Sequence, residues 1–186
     1  MSRSIMATAP LSVNIRWLIR ADMPEVLAIE QESFEFPWRE ADFMNCLRQR
    51  NCIAMVAEWI DGKTKWDRVA GFVIYELHKT RLHVLNLAVA GDLRRRGVGR
   101  ALVEKLQGKL NAAHRTKLQL EVRERNKDAQ LFFRAHGFRA VKTLRNYYED
   151  SDEDAYVFEY DVRRPFNVAG SQKFNRPDEF KRGTIR

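Results

Sequence analysis

No apolar run in this 186-residue chain approaches the ~20 residues needed to cross a bilayer as a helix, so no membrane role is expected. The opening stretch, MSRSIMATAPLSV, is basic and has no apolar h-region, so it does not read as a secretory signal. Cysteine is scarce. Cys46 and Cys52 stand alone, without motif spacing, which points to two reduced thiols and a cytoplasmic location. The four histidines, His78, His83, His114 and His136, form no ligand cluster in the sequence, so no metal is expected. Internal repeats and low-complexity tracts are absent as well.

What is present suits one globular domain. Hydrophobic residues make up 45% of the chain and charged residues 31%, enough for a core of its own. Residues 1–12 read as a disordered N-terminus, 13–162 as the folded domain, and 163–186 as a basic C-terminal tail. The net charge is +8, and the tail supplies +5 of it, with seven Lys/Arg against two acids. The tail has two readings. It is either solvated chain that aids solubility, or a weak contact to ribosomal RNA or an anionic substrate protein.

Periodicity orders the elements. VNIRWLIRA alternates as a strand. Asp22 is placed to cap a helix with Pro24 in its first turn. Pro37 breaks that helix at FEFPW, and READFMNCLRQR reads as a second, short helix. NCIAMVAEWI and DRVAGFVIYELH are strands joined by the turn signal Asp61-Gly62. RLHVLNLAVA and TKLQLEVRE are strands that flank an amphipathic helix carrying Val98, Leu102, Leu106 and Leu110 on one face. NKDAQLFFRAHGF is a helix that Gly137 can end. RAVKTLRNYY and DAYVFEYDV close the chain as a strand pair, with the acidic run EDSDED as a solvated loop between them. The strand–helix–strand middle demands a parallel pair and the hairpins are antiparallel, so a mixed sheet flanked by helices follows.

The stretch DLRRRGVGRALVEKL has the wrong sign for its position. A helix N-terminus is positive, yet Arg94, Arg95, Arg96 and Arg100 ring this one, and each misplaced cation costs about 0.3–1 kcal/mol unless an anion is bound. Gly97 and Gly99 lack Cβ atoms and would let a phosphate reach the free N–H groups of the first turn. Neither a Walker loop nor a dinucleotide fingerprint fits, because no Lys-Ser/Thr follows and Leu102 takes the third glycine position. Exposed arginines near a turn are also common without a ligand, so the loop by itself leaves both readings open.

The order strand, Arg94-x-x-Gly97-x-Gly99, helix, LQLEVRE, NKDAQLFFRAHGF resembles the GNAT acetyltransferase superfamily. FPW, LNLAV, LEVRERN, HGF and RNYY resemble its ribosomal-protein-alanine N-acetyltransferase (RimI-like) branch. The resemblance runs from about Ile15 to Val162. It implies an α+β GNAT fold: a mostly antiparallel sheet with one splayed parallel strand pair and about four helices. It implies acetyl-CoA as co-substrate, its phosphates held by Arg94, Arg95, Arg96, Gly97, Val98, Gly99 and Arg100. The pantetheine arm would lie along the backbone of Leu87, Ala88 and Val89, with Asn126 bonding it as well. Glu121 is implied as the proton acceptor. Phe36, Pro37, Trp38 and Tyr147 would wall the peptide entrance, although Phe36 and Trp38 read equally well as core.

One residue departs from the family. Phe133 stands where a tyrosine usually protonates the departing sulfur, so Tyr148 becomes the candidate acid, chosen between two adjacent phenols. The function implied is acetyl transfer to the N-terminal amine of a protein, foremost a ribosomal protein. The rival readings are a GNAT enzyme for a small-molecule amine or a lysine side chain, and an acyl-CoA-binding or ribosome-associated module with little catalysis.

Overall fold

A computed structural model describes residues 11–60 and 68–164. Within them the chain runs β1 (Val13–Trp17), α1 (Met23–Ser33), α2 (Glu40–Leu47), β2 (Cys52–Trp59), β3 (Arg68–Leu77), β4 (Arg81–Val89), α3 (Val98–Gln107), β5 (Lys117–Arg123), α4 (Lys127–Ala135), β6 (Arg139–Tyr148) and β7 (Glu153–Asp161). The seven strands form one sheet in the order β1-β2-β3-β4-β5-β7-β6. Every neighbouring pair is antiparallel except β4 and β5, which α3 joins by a crossover. No described helix is long and apolar enough to cross a membrane.

β3 lies at the centre of the core. It is buried without a break from Val69 to Tyr75, and α1 and α3 both pack on it. A strand covered on two faces reads as a continuous apolar run rather than an alternating one. Val98, Leu102 and Leu106 of α3 are all within 1% of complete burial, so the predicted stripe is its packing face. Leu110 lies beyond the end of α3 and only leans on the core. Gly137, at φ 85°, ends α4 in a Schellman turn: Phe138 N–H donates to the Phe133 carbonyl (3.1 Å) and Gly137 N–H to that of Arg134 (3.0 Å). The Phe138 ring then packs on Phe133 with centroids 5.3 Å apart.

Three expectations are corrected. Asp22 does not cap α1 with its side chain. Its carboxylate accepts from Ile19 N–H (2.8 Å) and is gripped by both ends of the Arg16 guanidinium (2.7 and 2.9 Å). Cys46 and Cys52 form a disulfide, because the turn between α2 and β2 brings their Cα atoms to 6.1 Å, within bridging range. The acidic run is not simply solvated. Glu153 is buried and accepts from Arg125 N–H (2.6 Å), Asp150 pairs with Arg123 (2.6 Å), and Asp154 pairs with Arg145. The Asp61-Gly62 turn, residues 1–10 and residues 165–186 lie outside the described residues.

Candidate active site

The parallel pair is short. β4 and β5 stay in register only from Arg81↔Lys117 to Val84↔Leu120. There β4 carries an extra residue: Tyr75 faces Val84 and Ile74 faces Asn86, leaving Leu85 unmatched. Such a bulge bends a strand, and the rest of β4 leaves β5. The far edge of β4 remains on β3, with Ala90 N–H donating to the Ala70 carbonyl (2.9 Å). Hydrogen-bonded pairs alternate in an antiparallel ladder, so Ala88 bonds β3 while Leu87 and Val89 turn their backbone groups to the gap. Of the three residues expected to line the cofactor arm, Ala88 therefore offers no free backbone group. Val89 has its carbonyl taken by Arg94 Nε (3.1 Å), which leaves its N–H.

A cleft of about 850 Å³ runs from this gap to the N-terminus of α3. Leu87, Ala88, Val89, Arg94, Arg95, Gly97, Gly99, Arg100 and Asn126 all line it. The turn before α3 is tight: Arg95 sits at φ 61° and Gly97 at φ 88°, a conformation that costs a residue with a Cβ about 1–2 kcal/mol. Gly99 is needed for a different reason. A Cβ there would stand 3.2 Å from the Phe132 ring, on the cleft wall. The arginines do not act alike. Arg94 braces the fold, donating to the Ser33 hydroxyl (2.9 Å) as well as to Val89. Arg100 pairs with Glu104 (2.7 Å) on the exposed face of α3. Arg96, expected at the phosphates, turns away and lies over the Trp59 ring at 5.8 Å. The Val98 side chain is buried in the core, so only its backbone faces the turn.

Asn126 caps α4, its Oδ1 accepting from Ala129 N–H (3.0 Å). Its amide nitrogen has no partner among the described residues and stands at the cleft. Glu121 holds a half-buried carboxylate on the exposed-facing side of β5, and Oε2 lies 2.6 Å from His83 Nε2. His83 was missed by sequence reasoning. It is paired with Gln119 across the parallel register, two residues before Glu121 on the same face, and only that register reveals the dyad.

The residues expected at the peptide entrance do not line this cleft but gather where two loops meet at Arg123. Phe36 is 44% exposed and faces the Arg123 guanidinium at 5.2 Å, while Tyr148 stacks on the same guanidinium at 3.8 Å. Arg123 also binds Asp150 and Ser151, so one side chain ties the FPW loop to the β6–β7 loop. Pro37 is exposed beside Phe36. Trp38 is different: its ring packs edge-on against Phe43 (5.4 Å), as core rather than wall. The Trp38 backbone N–H donates to Glu30 Oε1 (2.9 Å), and Glu30 Oε2 accepts from Asn86 Nδ2 (3.0 Å). Burial raises the Glu30 carboxyl above its ordinary range.

Tyr147 is 45% exposed and its ring meets Tyr148 edge-on at 5.0 Å. Burial pushes the Tyr148 phenol up to about 12, with the Glu121 charge a lesser cause, so it carries its proton at neutral pH. Phe133 is 6% exposed among Phe132, Phe138 and Phe158, and its ring forms part of the cleft wall. Two of the four histidines do meet, which the sequence reading did not expect: the β3–β4 hairpin brings one ligand atom each of Glu76, His78 and His83 within 4.8 Å of one another.

A family model described as Acetyltransferase (GNAT) family matches residues 15–138. The [ribosomal protein bS18]-alanine N-acetyltransferase of Salmonella typhimurium is 33% identical over 147 residues, which is 77% of this chain and 94% of that protein. The crystal structure of the ribosomal-protein-S18-alanine N-acetyltransferase from Escherichia coli superposes with a TM-score of 0.68 at 30% identity, covering 88% of this chain and 100% of that one. Ard1 from Thermoplasma volcanium superposes with a TM-score of 0.71 at 27% identity, over 82% and 99%.

Proposed function

We propose, because this chain belongs to the acetyltransferase (GNAT) family, that it acetylates the N-terminal amine of a protein, with a ribosomal protein as the leading substrate. It is an N-acetyltransferase that uses acetyl-CoA. The observation that carries the finer reading is the splayed β4–β5 gap, with the glycine turn at one end and the Glu121 carboxylate beside the other. The turn amides, Arg95 and Arg100 receive the phosphates. The Leu87 and Val89 backbone lines the arm, and Asn126 donates to it.

The chemistry then needs three groups. Val89 N–H donates to the thioester oxygen as negative charge develops there. The amine attacks the carbonyl carbon directly, forming the C–N bond, and Glu121 removes the amine proton, with His83 orienting the carboxylate. The C–S bond breaks and the sulfur takes a proton from Tyr148. No metal takes part in direct attack. Phe36, Pro37 and Tyr147 frame the entering peptide, whose backbone can bond along the strand edges.

The domain boundaries at 13–162, with a basic segment after them, belong to this reading, as does a cytoplasmic site of action, which the ribosomal substrate of the bS18 relatives supports and the Cys46–Cys52 disulfide does not. The +5 charge of residues 163–186 supports a weak contact with the ribosome. The test is a panel of peptides with free N-termini, led by alanine, against N-terminally blocked lysine peptides and free small amines. The expected result is a higher kcat/KM for the free N-termini. Faster turnover of lysine or small amines would assign another GNAT substrate. Acetyl-CoA binding without turnover of any amine would leave only a binding module.

A further inference from the structure

Glu76, His78 and His83 share one corner of the β3–β4 hairpin. Glu76 and His83 are direct partners across the ladder, and His78 follows Glu76 by two residues on the same face. His78 Nε2 lies 3.0 Å from Glu76 Oε2, and the two imidazole rings are 6.1 Å apart. The three ligand atoms lie within 4.8 Å of one another. Zinc bonds nitrogen and carboxylate oxygen at about 2.0–2.2 Å, so ligand atoms around a tetrahedral ion stand about 3.3–3.6 Å apart. The hairpin is therefore one modest rotamer adjustment from that geometry. Two imidazoles with a carboxylate suit zinc or a neighbouring transition metal, and do not suit magnesium or calcium. The His78 side chain is 33% exposed, which leaves the corner open to an entering ion.

The cluster does not stand alone. His83 Nε2 is 2.6 Å from Glu121 Oε2. We propose that Glu76, His78 and His83 bind a divalent transition-metal ion such as Zn²⁺, and that its binding reversibly switches off acetyl transfer through Glu121. If the ion takes His83 Nε2, Glu121 loses its hydrogen bond. If it takes Nδ1, the Nε2 proton stays on Glu121 as a second-shell bond to a carboxylate, in the manner of metal-bound histidines. In the first mode the carboxylate loses the partner that orients it, and in the second its Oε2 stays held by the Nε2 proton and is not free to receive the amine proton. The inhibitory half of this inference rests on Glu121 as the base; the binding half does not.

The test titrates Zn²⁺ alone into the full chain by calorimetry, without coenzyme, because a free thiol would compete for the ion. One site is expected, with no heat from Mg²⁺. His78→Ala keeps Glu121 and His83, so turnover without metal should be unchanged, while zinc affinity and the zinc concentration for half-inhibition should each worsen by at least about 10–100-fold. EDTA should restore wild-type activity. Absence of zinc binding to the wild type, or equal affinity in His78→Ala, overturns the site. Zinc bound at one site with turnover unaffected overturns the switch. Glu121→Gln retaining full turnover would remove the base assignment while leaving the calorimetric result to stand or fall by itself.

Discussion

Deleting one hydroxyl tests the proposed proton donor to the leaving sulfur. In Tyr148→Phe the ring keeps its place over the Arg123 guanidinium, 3.8 Å away, and the Arg123 links to Asp150 and Ser151 are untouched. The Tyr148 hydroxyl has no hydrogen-bond partner among the described residues. Its loss should therefore change stability by less than about 0.5 kcal/mol, as for a substitution away from any structural network. The rate is another matter. Acid–base groups typically contribute about 10²–10⁴-fold. A thiol titrating near about 8.5 leaves as a tolerable thiolate at neutral pH, so the low end applies. We expect kcat to fall about 100-fold, or about 2.7 kcal/mol of barrier. The KM for acetyl-CoA should hold, since the phenol makes no ground-state contact that the fold requires. Initial rates of acetyl-peptide formation, read by mass spectrometry, measure both. Phe133→Tyr supplies the complementary arm. Its ring already lines the cleft, so a hydroxyl there restores a donor at the usual family position. It should be nearly silent in the wild type and should rescue Tyr148→Phe. The relocated acid is refuted if Tyr148→Phe and Tyr147→Phe are both silent and Phe133→Tyr alone accelerates turnover.

Glu121→Gln should lower kcat by about 10²–10⁴ while leaving acetyl-CoA affinity within twofold; near-wild-type turnover would move the base elsewhere. Gly97→Val places a branched side chain at φ 88° and should abolish acetyl-CoA binding in a protein that still folds, which calorimetry and circular dichroism would check together. Glu30→Gln tests the buried carboxylate. Because burial raises its folded value above the ordinary 4.5, the wild type should lose stability as pH rises from about 4.5 through the folded value, whereas the amide should not. Gln can keep the Trp38 backbone N–H bond and, once the Asn86 amide turns over, donate to Asn86 Oδ1, a buried oxygen without a partner. Identical pH slopes in urea melts would count against this account. Truncation after Arg164 should leave kcat on short peptides unchanged, and any loss on ribosomal substrates should shrink with added salt.

The elements, and the expectation of an anion at the start of α3, were legible in the sequence alone. Hydrophobic periodicity places α3 and the strands around it, and four cations at a helix N-terminus beside Gly97 and Gly99 raise the expectation of an anion, although Arg94, Arg96 and Arg100 also have partners within the fold. These are local signals, carried by residues a few positions apart, and the backbone obeys them wherever the chain packs. Fold class and family were legible for the same reason, since the glycine turn, LEVR and the FPW loop are short motifs. What tertiary structure decided is everything set by register and long-range approach. The last two strands read as a pair, but only the sheet inserts β7 between β5 and β6, and so brings Glu153 to the Arg125 backbone. Trp38 and Phe36 sit two residues apart with similar chemistry, yet Glu30 holds the Trp38 backbone and turns its ring onto Phe43, leaving Phe36 to meet Arg123. Arg96 could not be told from Arg95 until the turn at φ 61° and φ 88° sent their side chains different ways. His83 and Glu121 are 38 residues apart, and a one-residue shift in the β4–β5 register would put them on opposite faces. Side-chain direction alternates along a strand, so a contact between strands is fixed by their alignment, which the chain acquires only when the sheet closes.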